Sequence, residues 1–98
     1  MNKKEERYKI IGNIEDGKQL IRASGSIGAN YIEANESLGK KDFLLRIKTS
    51  RKEAKESRYW LRLVYVANSM NMDKIRLELI QEATELMNIF GAIIRKSQ

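Results

Sequence analysis

No proline occurs anywhere in the 98 residues. Without an imide ring to fix φ or remove a backbone donor, a loop-rich fold loses its usual punctuation, and long uninterrupted helices become the favoured solution. The length suits one domain, residues 1–98, because two would leave neither with a usable core. Apolar residues at 42% and charged residues at 33% are enough of each for amphipathic helices, and too many large apolar ones for a disordered chain.

Three helical segments are readable. The first runs from Ile14 to Leu38, with Asn13 as N-cap and Glu15 and Asp16 in the first turn, where the helix dipole favours anions. Gly39 closes it as a C′ glycine. The second runs from Lys40 to Asn68, with Asp42 placed to cap free amides. The third follows the turn from Asn68 to Met72 and runs from Asp73 to Arg95, where Arg95 and Lys96 complement its negative end. Residues 1–12 form a short N-terminal segment, at most a helical turn or two interrupted at Gly12, ahead of a three-helix core over 13–96. The expected fold class is all-α, an up-and-down bundle of three long helices.

Heptad spacing sets the expected faces. In the second helix it selects Phe43, Ile47, Ser50, Ala54, Ser57, Leu61 and Val64. In the first it selects Gly17, Ile21, Ser24, Gly28, Tyr31, Asn35 and Leu38, and in the third Met72, Leu79, Ala83, Leu86, Phe90 and Ile93. The tight connection at Gly39 makes the first two helices antiparallel neighbours. Folding there sets Gly28 against Ser50, Ser24 against Ala54 and Ile21 against Ser57, so small residues meet small residues and the backbones approach closely.

The residues that catalysis needs are scarce. There is no histidine, the commonest general base and transition-metal ligand, and no cysteine for a disulfide or a thiolate. Gly25-Ser26-Ile27-Gly28 is no phosphate cradle, because it lacks the Walker lysine and lies within a helical pattern. Three Glu-x-x-Glu pairs, Glu33/Glu36, Glu53/Glu56 and Glu82/Glu85, lack the histidines of a di-metal bundle and read as solvated faces or ion pairs. These features predict a protein that is not an enzyme, with no cofactor, no metal and no small-molecule substrate. The N-terminus lacks a signal-peptide core, and the apolar run from Trp60 to Ala67 is far below the ~20 residues that span a bilayer. The expectation is a soluble, cytoplasmic protein without membrane contact.

The formal charge of +6 points to a polyanionic partner. At about 100° per residue the second helix gathers Lys41, Lys48, Arg51, Lys52, Lys55, Arg58 and Arg62 within an arc of roughly 120°. Such a ridge tracks a phosphate backbone, releasing counterions at each contact, and Tyr59 within it can stack on an unpaired base. The same ridge also suits an acidic protein surface, which would make the chain an adaptor or structural homo-oligomer instead. Trp60 projects away from the apolar sector, and so large an apolar surface outside the core marks a subunit interface.

Three linked stretches are distinctive: Ser26-Ile27-Gly28-Ala29-Asn30-Tyr31-Ile32-Glu33-Ala34, then Lys40-Lys41-Asp42-Phe43, then Arg51 through Leu61 with its Glu-Ser-Arg-Tyr-Trp-Leu ending. They resemble the bacterial four-helix-bundle proteins encoded in intervening sequences of 23S ribosomal RNA genes, relatives of the accessory variability determinant of diversity-generating retroelements. Glu82-Ala83-Thr84-Glu85-Leu86 and Ile89-Phe90-Gly91-Ala92-Ile93 are similar to that family's last helix. The resemblance covers Asn13 to Lys96. It implies a non-enzymatic bundle that forms a homo-oligomer, a pentamer in characterised members, and, by way of the retroelement relatives, RNA or DNA binding through basic surfaces. The sequence departs from the family in having only residues 1–12 where a long first helix is expected.

Overall fold

The computed structural model describes residues 2–64 and 69–98, side chains 4–11 apart. Three helices follow in order: α1 over Lys3–Asn35, α2 over Lys40–Leu63 and α3 over Met70–Ser97. No strand occurs among the described residues, and the fold is the three-helix, up-and-down, all-α bundle that the absence of proline implies. α2 packs against both neighbours, whereas no Cα of α1 comes within 8 Å of a Cα of α3 among the described residues. The Cα extents of 55 × 21 × 16 Å reflect α1, whose 33 residues make a rod of about 50 Å.

The boundaries differ from the sequence reading at several points. α1 starts at Lys3 and runs straight through Gly12 and Asn13, so Gly12 interrupts nothing and Asn13 lies inside the helix rather than at its N-cap. One glycine in a helix interior costs only about 1 kcal/mol relative to alanine, too little to break a helix of nine turns. Gly39 is not a left-handed C′ residue: with φ −146° and ψ 158° it is the extended N-cap of α2, and its carbonyl accepts from the Phe43 amide at 3.0 Å. α1 instead ends at Asn35, where Ser37 donates both its hydroxyl and its amide to the Ala34 carbonyl at 2.7 and 3.2 Å. Asp42 makes no capping bond; its carboxylate lies 3.9 Å from Arg46 Nε. α2 ends at Leu63, and the expected continuation over residues 65–68 lies outside the described residues. α3 starts three residues before Asp73, because the Ser69 hydroxyl accepts from the Met72 amide at 3.2 Å and caps it. Asp73 in its first turn and Arg95 and Lys96 in its last sit as expected.

The α2 heptad is the spine of the core. Ile47, Ser50, Ala54, Ser57 and Leu61 are buried, with Phe43 and Val64 half-buried at the ends. In α3, Ala83 and Phe90 are buried and Leu86 and Ile93 half-buried, but Met72 and Leu79 at the open end are exposed. Ala34, Ile47 and Phe90 form the centre of the cluster, with Ile27, Phe43, Leu86, Ile93 and Ile94 packed around it. Burying a side chain the size of Ile47 or Phe90 contributes about 1.5–3 kcal/mol.

α1 is rotated relative to expectation. Ala23 and Ala34 are its buried residues, with Leu20, Ile27 and Asn30 half-buried beside them. The predicted face of Ile21, Ser24, Gly28, Tyr31, Asn35 and Leu38 points outward, with Ile21 74% exposed. The register is fixed by the Ser50 hydroxyl, which donates to the Ile27 carbonyl at 3.3 Å. Four residues back along α1 and four on along α2, Ala23 stands opposite Ala54, both with no exposed surface. The pairing lies one residue earlier on α1 than the heptad count places it, so Ala23 and Ala54 bring small residues together, while Ser50 meets Ile27 rather than Gly28. α1 carries two apolar stripes about 100° apart, and its cross-links choose between them. Arg22 pairs with Glu53 and Glu56, and Asn30 accepts from Arg46; only the observed rotation allows both.

Candidate nucleic-acid interface

α2 holds nine basic residues and three acidic ones, so it alone carries the +6 of the whole chain, and α1, α3 and the connections balance to zero. Its helical period sorts these charges. The acidic side holds Glu53 and Glu56, which face α1, and both are taken up by Arg22. Arg22 Nη1 donates to Glu53 Oε2 at 3.3 Å and Nη2 to Glu56 Oε2 at 2.8 Å. The hydrogen bond from Arg22 is the main reason the Glu56 carboxyl is held below its ordinary 4.5, and the same bond raises the Arg22 guanidinium. Glu33, Glu36, Glu82 and Glu85 are exposed, and among the described residues no three acidic side chains converge on a metal-sized space.

The basic side faces solvent. Lys41, Lys48, Arg51, Lys52, Lys55 and Arg62 are exposed, and Arg58 is half-buried. None of the seven is within 4.0 Å of a carboxylate among the described residues. From Lys41 to Arg62 the ridge runs about 32 Å along the helix. Two members lean on α3: Arg58 Nη1 donates to Thr84 Oγ1 at 3.3 Å, and Arg51 lies over Gly91. Tyr59 is 55% exposed, and its ring forms a T-shaped pair with that of the half-buried Trp60 at 5.0 Å between centroids. The Trp60 ring therefore steadies Tyr59 while about half of the phenol side chain stays open to solvent.

α3 adds a cation that the sequence reading assigned only to the helix end. A Cβ on Gly91 would lie 3.3 Å from Arg95 Nη1 and 3.6 Å from Arg51 Nε, so two guanidiniums converge over one glycine that leaves room for them. The signal was the i, i+4 spacing of Gly91 and Arg95, legible only once α3 is known to run beside Arg51. A shallow depression lined by Lys48, Arg51, Lys52, Lys55, Met87 and Ile94 follows the α2–α3 seam next to this pair. The arrangement is an open cationic strip along the α2–α3 seam, the geometry of a surface that meets an extended polyanion rather than a small ligand.

Among the described residues no helix is long and apolar enough to cross a membrane. No curated protein and no solved structure matches the chain. A family model described as 23S rRNA-intervening sequence protein matches residues 3–92, taking in the segment before Asn13 as well as the three stretches that carry the resemblance. With a helical bundle organised around the same motifs, the chain belongs to the 23S rRNA-intervening sequence protein family.

Proposed function

We propose that this chain is a non-catalytic, self-associating cytoplasmic protein that binds RNA through the basic face of α2. The observation that carries the reading is the concentration of the net charge on one helix, with seven of its cations on one face and no carboxylate within 4.0 Å of them among the described residues. A solvated basic face kept for solubility would have no reason to exclude acids so completely from about 120° of arc. RNA, which offers unpaired bases in loops and bulges, is favoured over duplex DNA as the polyanion. Tyr59 supports unpaired bases among the ligands, since an exposed ring on a cationic strip stacks on any base. Self-association draws support from the apolar surface that three helices leave uncovered on α1 and α3.

The test is a binding titration of structured RNA, single-stranded RNA and duplex DNA across a range of salt. The reading expects log affinity for RNA to fall linearly with log salt. Replacing Lys48, Lys52 and Lys55 together by Glu should abolish binding while helicity stays intact, because all three side chains are exposed. Parent and triple variant giving the same weak curves at physiological salt would sink it and leave the protein-adaptor role. Equal affinity for DNA would remove the preference for RNA.

A further inference from the structure

Four arginines of this chain have a side-chain acceptor: Arg22 takes Glu53 and Glu56, Arg46 takes Asn30, Arg58 takes Thr84 and Arg76 takes Asp73. Arg51 and Arg95 instead converge on each other. Arg51 Nε and Cζ lie 3.6 and 3.7 Å from the point where a Cβ of Gly91 would stand, and Arg95 Nη1 lies 3.3 Å from it. Gly91 is buried beneath them. Among the described residues neither guanidinium is within 4.0 Å of a carboxylate or hydrogen-bonded to an acceptor. Further cations crowd round the pair. Lys48, Lys52 and Lys55 line the depression beside it, on a floor of Met87 and Ile94. The residues that α3 sets along this seam, Thr84, Met87, Gly91, Ile94 and Arg95, include no acid. Like charges brought to one point without a counter-ion repel, and an apolar floor removes part of the screening that water gives. An anion shared between them reverses the sign of that interaction.

We infer that Arg51 and Arg95 form a site for a phosphate monoester, the terminal phosphate of an RNA strand whose next nucleotides lie on the ridge. This rests on the RNA binding proposed above and names the group that this part of α2 takes. Charge selects the monoester. An internal phosphodiester carries one negative charge and would leave one guanidinium unneutralised, whereas a monoester carries about −1.5 to −2 at neutral pH. Shape agrees with charge. A monoester offers three terminal oxygens, so two planar guanidinium forks can each take an edge, whereas a phosphodiester has only two oxygens free. Position agrees as well. Tyr59 lies eight residues beyond Arg51, about 12 Å along the axis, so a strand anchored by its end can stack one of its first bases there.

Filter-binding titrations of the full chain test this with one single-stranded RNA sequence carrying a 5′ phosphate, a 3′ phosphate or hydroxyls at both ends. One phosphorylated form should bind about tenfold tighter than the hydroxyl form, the worth of a charge-assisted bidentate contact, and which one it is gives the direction of the strand. Arg51→Lys and Arg95→Lys keep the charge and lose the fork, so each should cut the preference to about twofold while the salt slope holds. Both side chains are exposed, and helicity should match the parent. Tyr59→Ala should weaken all three RNAs alike and keep the preference. The preference should grow as pH rises through about 6, where the second phosphate proton leaves, and the chain has no histidine to titrate there. Adenosine monophosphate should compete only far above the Kd of the phosphorylated RNA; competition at equal concentration would replace the strand end by a free monoester and overturn the assignment. Salt-dependent binding of all three RNAs with one affinity, or a preference that survives both lysine variants, would overturn this site and leave RNA binding standing. No binding of any of the three would overturn RNA binding itself.

Discussion

Arg22 on α1 and Glu56 on α2 are joined by a 2.8 Å hydrogen bond between a guanidinium and a carboxylate. This bond, shared with Glu53, fixes the rotation of α1 and makes stability depend on pH. The folded chain holds the Glu56 carboxyl below its ordinary 4.5. Its contribution is therefore fully present above that value and is lost as pH falls through the lower, folded one. Thermal melts from neutral to acidic pH should show the parent losing more stability than Glu56→Gln, with the difference opening below 4.5. The effect should be small and reduced by salt, because Arg22 is half exposed.

Ala23 and Ala54 face each other with no exposed surface. Ala54→Leu should force the two backbones apart and cost about 1–3 kcal/mol by overpacking. Gly28→Leu, which points into open space within the chain, should leave helicity intact. Chemical denaturation of the two variants separates them; equal destabilisation would mean that Gly28, not Ala23, faces α2.

Phe90 brings α3 onto both other helices, through Ile47 in the core and Tyr31 on α1. Phe90→Ala should cost about 3–5 kcal/mol, the transfer term plus the cavity it leaves. Ile89→Ala, next in sequence but 53% exposed, should cost far less in the monomer. Denaturant midpoints measured at low concentration read the difference.

The convergence of Arg51 and Arg95 over Gly91 predicts a split between stability and binding. Gly91→Ala should stabilise α3 by about 0.5–1 kcal/mol through helix propensity. Its new methyl meets only the ends of flexible arginines at 3.3 Å and beyond, which can give way. Arg95→Ala should leave the melt unchanged and reduce the salt slope of RNA binding by about one unit. An unaltered slope would place Arg95 outside the contact.

Helix number, class and the α2 core are written in local sequence. With no proline, the 3.6-residue period runs unbroken. On α2 a single apolar face stands against a charged one, so the heptad through Ile47, Ala54 and Leu61 has no competitor. The basic ridge from Lys41 to Arg62 follows from the same period, because positions along one helix are set by counting alone. α1 is different. It carries two stripes of comparable apolarity, one through Leu20, Ala23 and Ile27 and one through Ile14, Ile21 and Ile32, and no local rule ranks them. The choice belongs to residues far apart in the chain: Arg22 reaching Glu53 and Glu56, Ser50 reaching the Ile27 carbonyl. Gly39 shows the same division, for a glycine between helices is legible as a break, but whether it ends one or starts the next depends on how the chain is held on either side. The pairing of Arg95 with Arg51 depends likewise on α3 lying against α2, since side chains 44 positions apart meet only after the helices pack.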